Sequence, residues 1–160
     1  MSIDHGNAFI WAVPGNYKPT LLDKLATWVH IIVRKFTLSK EQNKRFDEVE
    51  ERKAKAIKET PELGDNVSKM LFVASLATHP DHRGKGYGSA LLKSVTDIAD
   101  GLGQTAWLSS SNKENTKFYN AHGFKTVKEV VVGDDNPTWK EPPIILSLMV
   151  REPVSSSSKR

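Results

Sequence analysis

The chain has 160 residues, enough for one domain with a sizeable core and too few for two ordinary ones. Hydrophobic residues make up 38% and charged residues 26%, which excludes a disordered or fibrous class. The formal charge of +4 is spread along the chain and points to solubility, with no nucleic-acid partner expected. Cys is absent, so disulfides, thiolate metal sites and a Cys nucleophile are excluded. A site without metal in a reducing compartment, cytoplasmic or alternatively nuclear, is expected.

Met1 to Asn7 lacks the basic and apolar segments of a secretory signal. Ala8 to Val13 is a short apolar run closed by Pro14 and Gly15 and reads as a strand. From Thr20 to Phe36 apolar residues recur at Leu21, Leu25, Trp28, Val29, Ile32, Val33 and Phe36, the period of an amphipathic helix. Ser39 is placed to cap a second helix reaching about Glu59, whose Lys and Glu read as a solvated face. The apolar runs Trp28 to Val33 and Met70 to Ala74 fall short of the roughly 18 residues of a membrane helix, so no membrane partner is expected.

Met70 to Leu76 is nearly continuous apolar chain, the pattern of a central strand buried on both faces. Leu91, Val95, Ile98 and Leu102 define a helix that Gly103 ends. Thr105 to Leu108 reads as a strand, Asn112 to His122 as a short helix, and Lys125 to Val132 and Ile144 to Val150 as two more strands. The Ser-rich end, residues 151–160, reads as a disordered tail. This order predicts an α/β (α+β) fold with a mixed sheet and an antiparallel end.

Between the central strand and its helix lie Arg83, Gly84, Lys85, Gly86, Tyr87 and Gly88. Alternate glycines at a helix start let backbone N–H groups approach an anion at the positive end of the helix dipole, and phosphate is the natural occupant. A Walker A loop would need Gly at His79 and Ser or Thr at Gly86, and a Rossmann fingerprint would need Gly at Ser89, so neither is present. On the glycines alone, a turn that holds no ligand stays open.

Leu76, Ala77, Thr78, His79 and Pro80, followed by Arg83 to Gly88 and Leu91, resemble the signature of the GCN5-related N-acetyltransferases (GNAT), whose kernel is Gln/Arg-x-x-Gly-x-Gly/Ala. Asn115, Phe118, Tyr119, Gly123 and Phe124 resemble that family's second motif at its usual distance. Within the family, Phe9 to Pro14, a helical insertion at about residues 20–60, and Leu108 to Phe124 look most like the puromycin N-acetyltransferase-like and fungal members.

The resemblance implies a GNAT domain over residues 8–150, partial at its start because the usual strand-helix-helix-strand portion does not precede Phe9. It implies acetyl-CoA as co-substrate and direct acetyl transfer to a small-molecule amine. Arg83, Gly84, Lys85, Gly86, Tyr87 and Gly88 would cradle the pyrophosphate, with Leu76, Ala77, Thr78 and Asn115 along the pantetheine arm. Tyr119 is the general-acid candidate; relatives carry Glu where this chain has Ser109, which leaves the base unassigned. A non-catalytic CoA-binding protein and a protein N-acetyltransferase remain as alternatives, and an uncovered sheet edge favours a homodimer.

Overall fold

The computed structural model describes residues 1–155. Its six strands are β1 (Ser2–Ile3), β2 (Ala8–Val13), β3 (Leu71–Thr78), β4 (Ala106–Ser110), β5 (Lys125–Val132) and β6 (Ile144–Arg151). They form one sheet in the order β1-β2-β3-β4-β6-β5. Between them lie helices α1 (Leu21–Thr37), α2 (Lys40–Glu59), α3 (Tyr87–Leu102) and α4 (Asn115–Ala121). β3 and β4 pair in parallel and the other neighbours are antiparallel, the mixed sheet that the element order predicts.

Each face of the sheet carries its own apolar layer. On one face Leu91, Leu92, Val95 and Ala99 of α3 pack on Leu71, Val73, Leu108 and Met149. Gly103, at φ 62, ends that helix with its N–H on the carbonyls of Ala99 and Asp100. On the other face Ala56 of α2 and Leu63 pack on Trp107, Val130, Val132 and Leu148, and Phe72 stacks on Trp107 at 4.3 Å. Thus β3 contributes Leu71 and Val73 to one layer and Phe72 to the other, the two-sided burial implied by its unbroken apolar run.

Capping boxes start both early helices, Thr20 with Asp23 for α1 and Ser39 with Gln42 for α2. α1 has the predicted periodicity, yet none of its residues is buried. Leu21, Leu25, Trp28, Val33 and Phe36 all face outward, since no other element of the described residues lies against that side. α2 instead docks on the loop between β5 and β6. The Arg52 guanidinium pairs with Glu48, Asp134 and Asp135 and donates to the Val131 carbonyl, and the Glu48 carboxylate accepts from the Gly133 N–H.

The boundaries differ from the sequence expectation in several places, β3 among them, which runs from Leu71 to Thr78. β4 runs on to Ser110 because β6 keeps pairing there, Ser110 opposite Ser147. α4 begins at Asn115, and not at Asn112, because the Asn112 side chain accepts from the Glu114 N–H at 2.8 Å and holds a turn. The sheet also extends beyond residues 8–150. Met1 exchanges hydrogen bonds with Ile10 beside β1, and Arg151 ends β6 with its guanidinium on the Asp100 carboxylate at 2.7 and 3.0 Å. Residues 151–155 are therefore tied to α3, and residues 156–160 of the expected tail lie outside the described residues.

Glu41 closes the α2-to-loop contact. It accepts from Thr138 Oγ1 at 2.6 Å, Arg45 Nε at 2.8 Å and Asn136 Nδ2 at 3.1 Å, while the Arg45 guanidinium lies 4.5 Å over the Trp139 ring. The hydrogen bonds from Thr138 and Arg45 outweigh the opposing effect of burial and hold the Glu41 carboxyl down at about 2. A depressed carboxylate stabilises its contacts above its ordinary value of 4.5 and loses them as pH falls toward 2. The indole N–H resonance of Trp139 should therefore stay fixed as pH drops past the ordinary value of 4.5 and move only as pH approaches about 2, and Glu41→Gln should displace it already at neutral pH.

Candidate functional site

The site begins with a register slip. From Ala8 opposite Thr78 to Trp11 opposite Ser75 the pairing of β2 and β3 is regular, and then Ala12 faces Val73, leaving Ala74 as an extra residue in β3. A bulge bends its strand and raises its twist. The parallel pairing of β3 with β4 stops at the same point, Val73 opposite Leu108 being its last pair, while β4 continues alongside β6. From Ser75 to Thr78 the side of β3 that faced β4 has no strand partner, and a cleft of about 670 Å³ opens there.

The cleft gathers Leu76, Ala77 and Thr78 of β3, Arg83, Gly84, Gly86, Tyr87 and Gly88 of the loop and first turn of α3, and Asn115 and Tyr119 of α4. Of the residues singled out in the sequence, Lys85 does not line it; its Nζ lies 3.5 Å from His82 Nδ1. Gly84 and Gly86 hold φ of 76 and 78, a left-handed backbone that a side chain would strain, and a Cβ built at either meets only open space. Gly86 caps α3 without any side-chain hydrogen bond, so the first-turn N–H groups are left for a ligand. At Gly88 a Cβ would meet Phe118 and Thr78 at 3.7 Å, so the side chains of α4 and β3 come close to this turn of α3. Open left-handed glycines, free N–H groups and Arg83 together fit a phosphate-bearing ligand.

Tyr119 stands against Phe118 at 5.2 Å and Phe124 at 6.1 Å, and its hydroxyl has no hydrogen-bond partner among the described residues. Burial pushes its pKa up, so the phenol keeps its proton at neutral pH. Ser109, opposite Leu148 in β6, does not line the cleft, and neither does His79, whose Nδ1 accepts from the Asp81 N–H. Glu114 is the one carboxylate among the cleft-lining residues. Among the described residues no group of three or more His, Asp or Glu could hold a metal, and no helix is long and apolar enough to cross a membrane.

The sequence did not disclose Ser89, Asn112 and Glu114 as cleft residues, nor Asp4 behind them; His82 and Phe118 line the cleft as well. Asp4 lies in a 3-10 turn between β1 and β2, and its Oδ2 accepts from His82 Nδ1 at 2.9 Å, Tyr87 Oη at 3.2 Å and Asn7 Nδ2 at 3.3 Å. Burial alone would raise the Asp4 carboxyl; the hydrogen bonds and the His82 charge prevail and hold it below its ordinary value. Nothing local marks a contact between Asp4 and a loop so distant in sequence.

Residues 49–126, from within α2 to the start of β5, match the acetyltransferase (GNAT) domain family and include both sequence motifs. A polyamine N acetyltransferase of Drosophila melanogaster, 15% identical, matches 91% of this chain and 68% of its own with a TM-score of 0.58. The ribosomal-protein-S18-alanine N-acetyltransferase from Escherichia coli, 22% identical, matches 57% of this chain and 59% of its own with a TM-score of 0.44. Arabidopsis thaliana Naa50 in complex with the bisubstrate analogue CoA-Ac-MVNAL, 22% identical, matches 52% and 54% respectively with a TM-score of 0.43. The chain spans about half the length of several solved structures it matches. The sheet and its flanking helices are a GNAT-like fold, and residues 49–126 carry the match to a GNAT acetyltransferase domain.

Gly86→Trp tests the cradle. Calorimetric titration should show acetyl-CoA binding lost, because the indole fills the open space before α3, while a left-handed non-glycine residue costs the fold only about 1–2 kcal/mol. Unchanged affinity would remove the assignment of this loop to an acyl-CoA phosphate.

Proposed function

We propose that the chain is an acetyl-CoA-dependent N-acetyltransferase that moves an acetyl group directly to the amine of a small molecule. The observation that carries this reading is the divergence of β3 from β4 beside an open glycine loop, which leaves a cleft bounded by free backbone groups and three side chains of α4. In it the N–H groups from Arg83 to Gly88 cradle the pyrophosphate. The unpaired edge of β3 at Leu76 and Ala77 hydrogen-bonds the pantetheine arm and polarises the thioester carbonyl, and Asn115 holds the arm from the facing wall.

Bound acetyl-CoA supplies an activated acetyl thioester. An uncharged amine attacks its carbonyl carbon, the carbon–sulfur bond breaks, and the departing thiolate takes a proton. Tyr119, kept protonated by burial, is the donor in this reading. The amine of a small molecule is the acceptor in this reading.

One feature of the resemblance favours a second reading, CoA binding without turnover: Ser109 stands where the puromycin N-acetyltransferase-like members it resembles carry Glu, which leaves no base assigned. Thiol release from acetyl-CoA, measured across small amines and across Lys and N-terminal peptides, separates the readings. Release with small amines supports the first, release with peptides alone favours a protein acceptor, and CoA binding without release supports the second. Where release occurs, Tyr119→Phe should lower kcat by about 10² to 10⁴-fold with CoA affinity unchanged; an unchanged kcat would remove Tyr119 as the acid.

A further inference from the structure

We infer that Asp4 is a positioning residue that presents His82 to a phosphate of the acyl donor, so that the turn between β1 and β2 is part of the anion site. This rests on the reading of the glycine loop as a CoA cradle. One carboxylate oxygen of Asp4 holds two cleft-lining side chains at once, His82 through Nδ1 at 2.9 Å and Tyr87 through its hydroxyl at 3.2 Å. The two rings lie 6.3 Å apart, so the carboxylate fixes their mutual orientation as well.

The turn that carries Asp4 is itself constrained. Asp4 and His5 both have φ of 53, a conformation that side chains rarely adopt. Asn7 holds the turn from both ends. Its N–H donates to the Asp4 carbonyl at 3.0 Å, its side-chain amide donates to the Asp4 carboxylate, and its carbonyl accepts from the His79 N–H at 2.7 Å. The turn is thereby fastened to the end of β3 and the start of the glycine loop.

The chemistry follows from the acceptor. A carboxylate only accepts hydrogen bonds, so the proton shared with Asp4 resides on His82 Nδ1. Nε2 has no hydrogen-bond partner among the described residues, and the ring lines the cleft directly before Arg83. As an imidazolium, His82 offers an Nε2–H to a phosphoryl oxygen while Asp4 balances its charge, and Lys85, 3.5 Å from Nδ1, adds to the positive potential. Asp4 itself touches no ligand and acts through His82 and Tyr87.

A double-mutant cycle read by calorimetric titration of CoA tests this. His82→Ala should weaken CoA roughly tenfold, as for loss of one charge-assisted hydrogen bond. Asp4→Gly, which suits the positive φ, should weaken it by several-fold. The double variant should be no weaker than His82→Ala to within about twofold, because Asp4 acts through the ring that is already gone. Asp4→Asn, which keeps an acceptor in place, should recover part of the affinity. Losses that multiply in the double variant, or an inert His82→Ala, would overturn the inference while leaving the cradle intact; a wild-type chain that does not bind CoA would overturn both. With 3′-dephospho-CoA, a penalty for His82→Ala that persists locates the contact on the diphosphate, and one that disappears locates it on the 3′-phosphate.

Discussion

The structure depends on the loss of pairing between two parallel strands at Val73 and Leu108. A strand interior normally satisfies its N–H and C=O groups on both sides, and a group left unsatisfied and away from water costs about 1–3 kcal/mol. The extra residue Ala74 bends β3 away from β4 at that pair, so the next four residues present unpaired backbone to a cleft and not to a neighbour. A ligand that runs along that edge as a strand would restores what the sheet gave up. The cleft is therefore built by backbone geometry, and most side chains along β3 are free to vary so long as they fit the layers on either face.

Such a divergence is stable only if the branches are held apart. α3 does this on one face through Leu91, Leu92, Val95 and Ala99, and α2 with Leu63 covers the other. The Arg151–Asp100 pair, with side chains 10% and 8% exposed, joins the last residue of β6 to the final turns of α3. Breaking such a pair leaves an uncompensated buried charge, so it fixes the place of α3 more firmly than apolar contacts alone. With its far end pinned, α3 directs its N-terminus and the glycines before it at the mouth of the cleft.

The parts of this arrangement that were legible in the sequence are those with a local signal. The unbroken run before the glycines announced a strand buried on both sides, Gly103 announced a helix end, and Thr20 and Ser39 announced helix starts, because each reflects a conformational preference of a few neighbouring residues. The glycine loop was legible as a strand-to-helix turn because three alternate glycines fall between an apolar run and a helical periodicity. What escaped was set by pairing at a distance. The bulge at Ala74 exists only relative to Trp11 and Ala12, and β1 exists only because Ser2 and Ile3 pair with Phe9 and Ala8. Asp4 reaches Tyr87 across 83 positions. The start of α4 escaped for another reason, since Asn112 fits a helix start by type and instead folds its side chain back on the Glu114 N–H.

The two sides of the cleft obey different chemistry. The donor side needs backbone N–H groups, glycines and a few polar contacts, and the chain holds all of these on rigid elements. The same fold recurs at 15% identity in the Drosophila enzyme, as expected when geometry and not side-chain identity defines it. An acceptor must be chosen by side chains, through charge, shape and a group that keeps the amine uncharged. Apolar surface is what this chain presents beyond the cleft, with Phe9 and Trp11 exposed on β2 and the whole face of α1 uncovered. Aromatic and aliphatic groups of that kind discriminate by fit over an area and discriminate weakly by charge.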